Sequence, residues 1–491
     1  MKKILLGLLL AVVLLSAVLA FRAATLTSLQ PEAGPAAEVS IDVDAAAARF
    51  SEALTYPTIS HQEEADRPAE AFLAFHDFLE RSFPGVHETL TRETVSELSL
   101  LYTWAGREPG LEPILLMGHI DVVPVIPGTE DDWRHPPYGG VIAGGEIWGR
   151  AALENKSGVM AIVGGVEDLA ATGIQTRRKS YLAFGHDEEV GGAEGAKVIA
   201  QTLAARGVAS YAFVLDEGGF IRESMGEMTD GPVAFVGIAE KGFVTLELVV
   251  EGSGGHSSAP PESTSLGILA RAVTRLEENQ FPARLDGATE AMMDHLAPET
   301  PFLARMILAN RWLTRPVVLR LALADPSTAA MVRTTTAVTV MDGGVKENVL
   351  PIRARALVNH RILPGDTVES VARRAREVID DERVRVEPLG WTGEPSPVSD
   401  PGSEAFRLVG RTIKEVLPGE GVVVVPYLVI GGTDAKHYSG RSDAVFRFLP
   451  ISAGDDITEM LHGTNERIPV DGLELAIRYF VRLIENSDAL S

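Results

Sequence analysis

Three short apolar runs each end in a cluster of histidine and carboxylate residues, and this repeat constrains the fold more than any other feature. Ile114-Leu115-Leu116-Met117 leads into Gly118-His119-Ile120-Asp121, and Tyr181-Leu182-Ala183-Phe184 into Gly185-His186-Asp187-Glu188-Glu189. Ala212-Phe213-Val214-Leu215 leads into Asp216-Glu217-Gly218-Gly219. Helical patterns over 158–171 and 193–205 lie between them. Apolar strand, polar loop and helix in repetition is the signature of an α/β fold. Ligand sites of such sheets gather beyond the carboxyl ends of the strands, where all three clusters fall. Distant segments are thereby expected to converge on one site.

The 491 residues are about three times the ~150-residue prior for one domain. Near residue 245 the pattern changes. Loosely alternating residues 246–251 precede a Gly/Ser turn carrying His256, and 338–341 and 354–362 are strand-like, with helical patterns at 265–278 and 368–379. Residues 245–390 are expected to form a smaller α+β domain inserted into a larger one built from 46–244 and 391–491. Helical patterns at 404–416 and 473–484, with the apolar run 421–429 between, return the chain to that larger domain.

At the N-terminus Lys2-Lys3 precedes an uncharged run of 18 residues, Ile4 to Phe21, at the short end of what crosses a bilayer. Residues 1–22 are read as an export signal or a retained membrane anchor. Residues 23–45, rich in Ala, Pro, Thr and Ser, are read as a tether. The protein is expected outside the cytoplasm, periplasmic or extracellular, free or membrane-held. A net charge of −24 repels phosphate backbones, so nucleic acid is not an expected partner. With no cysteine, disulfides, thiolate metal sites and cysteine nucleophiles are excluded. Any metal must be held by histidine and carboxylate.

The residues offer that set. In His119-x-Asp121, residues i and i+2 of an extended segment share a side, so Asp121 can hold one imidazole nitrogen while the other binds metal. Alternation would split Glu188-Glu189, sending one carboxylate to a metal and leaving one as a general base, the division metal-assisted hydrolysis needs. Asp216 supplies a further carboxylate. Glu154, just before a helix, is placed to bridge two metals, and His462 lies in a polar loop ahead of the last helix. Singly, each has a plain structural explanation; together, at strand ends, they read as a two-metal site.

These stretches resemble those of the M20 metallopeptidases, in the carboxypeptidase S / N-fatty-acyl-amino acid synthase-hydrolase branch. The likeness rests on Gly118–Pro124, Trp148-Gly149-Arg150, Gly185–Gly192, Val214–Gly219, Gly255–Ser258, Arg333–Ala337, Lys346–Pro351, Gly431–Tyr438 and His462–Glu466. It implies a zinc-peptidase-like catalytic domain, a mixed sheet flanked by helices, interrupted by an α+β lid or dimerisation domain. It further implies one zinc on His119 and Asp216, another on Glu189 and His462, and residue 154 between them, with Co²⁺ or Mn²⁺ as substitutes. Glu188 would be the base and Asp121 the partner of His119. His256 would steady the oxyanion, often across a homodimer, and Asn348 and Arg361 would grip a substrate carboxylate. The chain departs from the family at two positions of one stretch. Glu154 stands where Asp is usual, and Ala151 where Gly is usual.

The expected function is hydrolysis of an amide bond in an N-acyl amino acid, or of a peptide bond beside a free carboxylate. A dipeptidase or aminoacylase of the same fold is the alternative. A binder of amino-acid-like ligands, impaired by Glu154, is the reading from another class.

Overall fold

The computed structural model describes all residues except 35, 62–66, 420, 453, 455, 456 and 491. None of the expected site residues is among these, although residue 35 of the expected tether is.

The centre is a nine-stranded mixed sheet. Its main path runs Thr91–Val95, Ser99–Trp104, Ser180–Gly185, Ile114–His119, Phe213–Asp216, Val445–Arg447, Val233–Glu240, Val423–Val429, with Phe220–Arg222 paired to Val233–Glu240. Strands 114–119, 180–185 and 213–216 run parallel, whereas 99–104 meets 180–185 antiparallel. The short apolar runs are buried on both faces, as strands covered by helices on each side must be. Alternation sorts their side chains into two cores. Leu116, Leu182, Phe184 and Leu215 face one, with helices Lys156–Ala171 and Val470–Ser487. Leu115, Met117, Tyr181 and Val214 face the other, with helix Ala196–Ala205. Gly165 lets the first two helices touch, since a Cβ there would stand 3.2 Å from the Ile477 carbonyl oxygen.

A second sheet of four antiparallel strands runs in the order Thr335–Gly343, Arg353–Ile362, Gly242–Glu251, Val384–Gly393. Its buried face, Val244, Leu246, Leu248, Ala354, Ala356 and Val358, packs on helices Ser265–Glu278 and Val368–Ile379. Both helices begin at a threonine, Thr264 and Thr367, whose side chain accepts a main-chain N–H of the first turn.

Two arrangements differ from the sequence reading. The helical stretch 287–332 lies within the expected insert, yet helix Gly287–Leu296 packs on the large sheet. Leu296 joins Val233, Phe235, Val423 and Val425 in one cluster. The expected tether has no helix or strand over 26–34 and 36–42, but it is fastened to the body. Gln30 donates to the Val424 carbonyl and accepts the Val424 N–H, and Ser28 donates to Glu299. The physical reason is local. Val423–Val429 is an edge strand, and a side-chain amide supplies the donor and acceptor its open margin lacks.

Candidate active site

Because strands 180–185, 114–119 and 213–216 are parallel neighbours, their carboxyl ends carry His119, Glu188, Glu189, Asp216 and Glu217 to one place. His119 closes its strand and is buried. Its Nδ1 lies 3.3 Å from Asp121 Oδ1. Asp121 is also the socket for the next loop: its two oxygens accept the Glu188 and Glu189 N–H groups, each at 3.1 Å. Burial opposes its charge, but the contacts with His119 and these donors hold the Asp121 carboxyl below its usual range.

The other imidazole nitrogen, Nε2, faces Glu217 Oε1 at 3.2 Å without the alignment of a hydrogen bond. His119, Glu154 and Glu217 each offer a ligand atom, all within 4.8 Å of one another. Asp216, the expected ligand, is not in that group. Asp216 closes the strand with its oxygens on the N–H groups of Glu217 (3.0 Å) and Ala435 (2.7 Å). Consecutive carboxylates at a strand end point opposite ways, so one enters the site and the other braces the loop behind it. The split inferred for Glu188-Glu189 applies equally to Asp216-Glu217.

Glu189 Oε2 is 3.3 Å from His462 Nε2, while Glu189 Oε1 is buried with no hydrogen-bond partner. The assembly is short of positive charge. Burial, then Glu217 and Glu189, push the Glu154 carboxyl well above its usual range. Burial raises Glu188 likewise, with Asp434 and Glu189 adding to it and His119 and Lys436 opposing. Orphaned nitrogen and oxygen atoms amid buried carboxylates are the donor set of a divalent cation.

Two residues unassigned by the sequence reading hold the site's frame. Glu466 is fully buried and accepts Arg150 Nη1 (2.8 Å) and the N–H groups of Ala151 (3.1 Å), Leu153 (2.7 Å) and Glu154 (3.1 Å). Arg150 also donates to the carbonyls of His462 (3.3 Å) and Gly463 (2.8 Å). One ion pair thus ties the loop of Glu154 to the loop of His462, beside the antiparallel pairing of Arg467–Pro469 with Glu146–Trp148. Both residues lie in the stretches quoted for the family likeness. Ala151, within this loop, sits at φ +74°, in the left-handed region where glycine is at ease.

A cavity of about 500 Å³ opens from the carboxylates. Glu154, Glu188, Glu189 and His462 line one part, Arg361 and Lys436 bring positive charge, and Lys241, whose Nζ donates to the Ala330 and Arg333 carbonyls, lines it too. Phe243, Leu389 and Trp391 make an apolar wall. The Arg361 guanidinium lies over the Phe243 ring at 5.0 Å, and Lys436 Nζ over Trp391 at 5.1 Å. The other two expected residues are not in this cavity. His256 is exposed on a small two-stranded sheet, paired with Val349, its Nδ1 on Ser258, and the Asn348 carbonyl accepts the Ser257 N–H beside it. The structure therefore groups His256 with Asn348, apart from the carboxylates.

Comparison with known proteins bears on this arrangement. The profile of peptidase family M20/M25/M40 matches residues 115–486. The chain is 38% identical over 445 residues to a probable carboxypeptidase S-like 2 of Dictyostelium discoideum, covering 90% of this chain and 85% of the other. It is 39% identical over 441 residues to the mouse N-fatty-acyl-amino acid synthase/hydrolase PM20D1, covering 89% and 86%. Among solved structures, the M20 family metallo-carboxypeptidase Sso-CP2 of Sulfolobus solfataricus superposes with a TM-score of 0.66 at 18% identity, over 91% of this chain and 99% of that one.

Proposed function

The chain belongs to peptidase family M20/M25/M40, a family of metal-dependent hydrolases acting on C–N bonds, and from that premise we propose that it cleaves the amide bond of N-acyl amino acids. The observation that carries the reading is the cavity. Carboxylates, Arg361 and an apolar wall line it together. The guanidinium fork suits the free carboxylate of an amino acid, and Phe243, Leu389 and Trp391 suit an acyl chain. The fatty-acyl substrates named for the mouse relative are of that kind.

The unpaired His119 Nε2 and Glu189 Oε1, each beside other possible ligand atoms, favour bound metal at this site. In the proposed set, His119 and Glu217 would hold one zinc and Glu189 and His462 a second, with Glu154 available to both; Co²⁺ or Mn²⁺ would suit the same donors. A metal held there supplies Lewis acidity toward the scissile carbonyl and toward water. Glu188, held by the Asp121 socket, takes a proton from the attacking water and hands it to the leaving amine nitrogen. Arg361 fixes the substrate carboxylate and so the position of the amide. Condensation of a fatty acid with an amino acid is the same path reversed.

His256 and Asn348 reach a site by lying on a second copy of the chain. The exposed apolar residues Val340, Met341, Val345, Val349 and Ile352, on and between the edge strand Thr335–Gly343 and the strand that pairs with His256, support a homodimer. There, His256 would donate to the developing oxyanion.

The test is a hydrolysis screen of N-fatty-acyl, N-short-acyl and dipeptide substrates with and without added Zn²⁺. Zinc-dependent turnover of acyl amino acids is expected. Activity confined to dipeptides would make this a dipeptidase, and a Glu188→Gln protein with wild-type turnover would refute the mechanism.

A further inference from the structure

The stretch 301–324 contains Arg305, Arg311, Arg315 and Arg320 and no acidic residue, in a chain of net charge −24. It folds into two helices, Phe302–Leu308 and Arg311–Ala322. Their outer surface is apolar: Phe302, Leu303, Trp312, Leu313, Val317 and Leu321 are exposed, Leu303 at 72% and Trp312 at 60%. An apolar helical surface interleaved with arginines is the pattern of a segment lying in a membrane interface, where tryptophan sits at headgroup level and arginine reaches outward. Arg311 answers Glu290 and Asp294 of the helix beneath. Arg305 and Arg315 donate to the uncharged main-chain carbonyls of Thr300 and Leu285, which leaves their positive charge in place.

The second observation is what stands beside this face. Helix Lys2–Ala24 is long and apolar enough to cross a membrane. At about 1.5 Å per residue its length matches a hydrocarbon core of about 30 Å. Nearly all of it is exposed, yet its last turns are joined to the body. The buried Asn310, between the two short helices, donates to the Leu19 carbonyl at 3.1 Å, and Ala23 is fully buried. With Lys2–Ala24 in a bilayer, its C-terminal end marks the surface of that bilayer, and the arginine-bearing face lies at that level.

We propose that helices Phe302–Leu308 and Arg311–Ala322 form a docking face for an anionic lipid surface, continuous with the membrane-inserted Lys2–Ala24 helix. A second copy is the poorer occupant, because pairing the face with itself would set one row of arginines against another. The docking fixes the orientation of the folded body on the membrane, in place of free swinging on a tether.

The absence of cysteine permits a direct test in the full-length chain. Single substitutions Leu303→Cys, Leu321→Cys, Leu10→Cys within the N-terminal helix, and Ile142→Cys as an exposed control are labelled with an environment-sensitive fluorophore. Each protein is reconstituted into vesicles of phosphatidylcholine with or without phosphatidylglycerol, and with doxyl-labelled lipid as quencher. The labels at 303, 321 and 10 are expected to be quenched at least about twofold while that at 142 is not. Adding Arg315→Glu and Arg320→Glu should reduce quenching at 303 and 321, most in phosphatidylglycerol vesicles, and spare that at 10. Quenching at 10 with none at 303 and 321 overturns the proposal, as does failure of the label at 10 to enter lipid. Energy transfer between chains labelled at 303, independent of lipid, would assign the face to a second copy and overturn it as well.

Discussion

Replacing Glu466 by Gln removes one charge, keeps the shape, and probes the frame of the site. Four donors converge on this carboxylate: Arg150 Nη1 and the N–H groups of Ala151, Leu153 and Glu154. A hydrogen bond to a charged group contributes about 1.5–3 kcal/mol and a neutral one about 0.5–1.5; in Gln one accepting oxygen becomes an NH2, so two donors weaken from about 1.5 to about 1 kcal/mol and two lose their acceptor, a cost of roughly 4 kcal/mol. The figure agrees with the ~3–5 kcal/mol for breaking a buried ion pair from one side. Unfolding entropy of about 2 cal/mol/K per residue gives roughly 1 kcal/mol/K for a chain of this length, so Tm should fall by about 4 °C. The assay is calorimetric melting of wild type, Glu466→Gln, Arg150→Met and the double variant, each metal-free and with zinc. The double variant should lose at least about 2 kcal/mol less than the sum of the singles, since either one already breaks the pair. Zinc titration should weaken about 10–100-fold, because the pair joins the loops of Glu154 and His462. A Glu466→Gln protein melting within about 1 °C of wild type, with additive singles, would refute the reasoning.

Three further outcomes follow from the same geometry. Glu217→Gln should lower turnover by at least about 100-fold and reduce bound metal, whereas Asp216→Asn should act mainly on Tm; equal metal loss in both would return Asp216 to the ligand set. Ala151→Gly should raise Tm slightly, by relief of about 1 kcal/mol of left-handed backbone less glycine's greater unfolded entropy, and Ala151→Val should lower it. Burial, then the charge of Arg361, bring Lys241 from 10.5 down to about 7. Between pH 7 and 10 the unfolded chain therefore holds a proton that the folded chain does not, and stability should rise with pH across that window. Denaturant melts of wild type and Lys241→Met at pH 7 and 10 check this, the wild type gaining on the variant at the higher pH.

What the sequence disclosed follows how locally each feature is encoded. The strands at 114–119, 180–185 and 213–216 were legible because burial on both faces demands unbroken apolar runs, and the site had to lie at their ends. His119, Asp121, Glu154, Glu188, Glu189 and His462 could be picked out by residue type, and the structure brings them together. The choice between Asp216 and Glu217 depends on which of two neighbours points inward, a matter of strand phase at its last residue. The helix Gly287–Leu296 looks like part of the insert because nothing in its own sequence names the strand it packs on, 423–429, more than a hundred residues on. The same holds for the segment around Gln30, whose polar composition reads as a linker and whose partner is Val424. His256 and Asn348 were legible as residues, but within one chain they stand apart from the cavity.

The Gln30 clasp has a consequence for biosynthesis. The stopper is among the first parts of the chain to be made, and the strand it covers is among the last. Until residues 423–429 are synthesised and aligned beside 233–240, the stopper has no seat. Once they are, a single amide occupies the place where a foreign strand would otherwise begin to pair. A chain severed just after Gln30 would keep every residue of the catalytic cluster and yet present an open sheet margin. Its failure would show as slow self-association on storage before it showed in a rate assay.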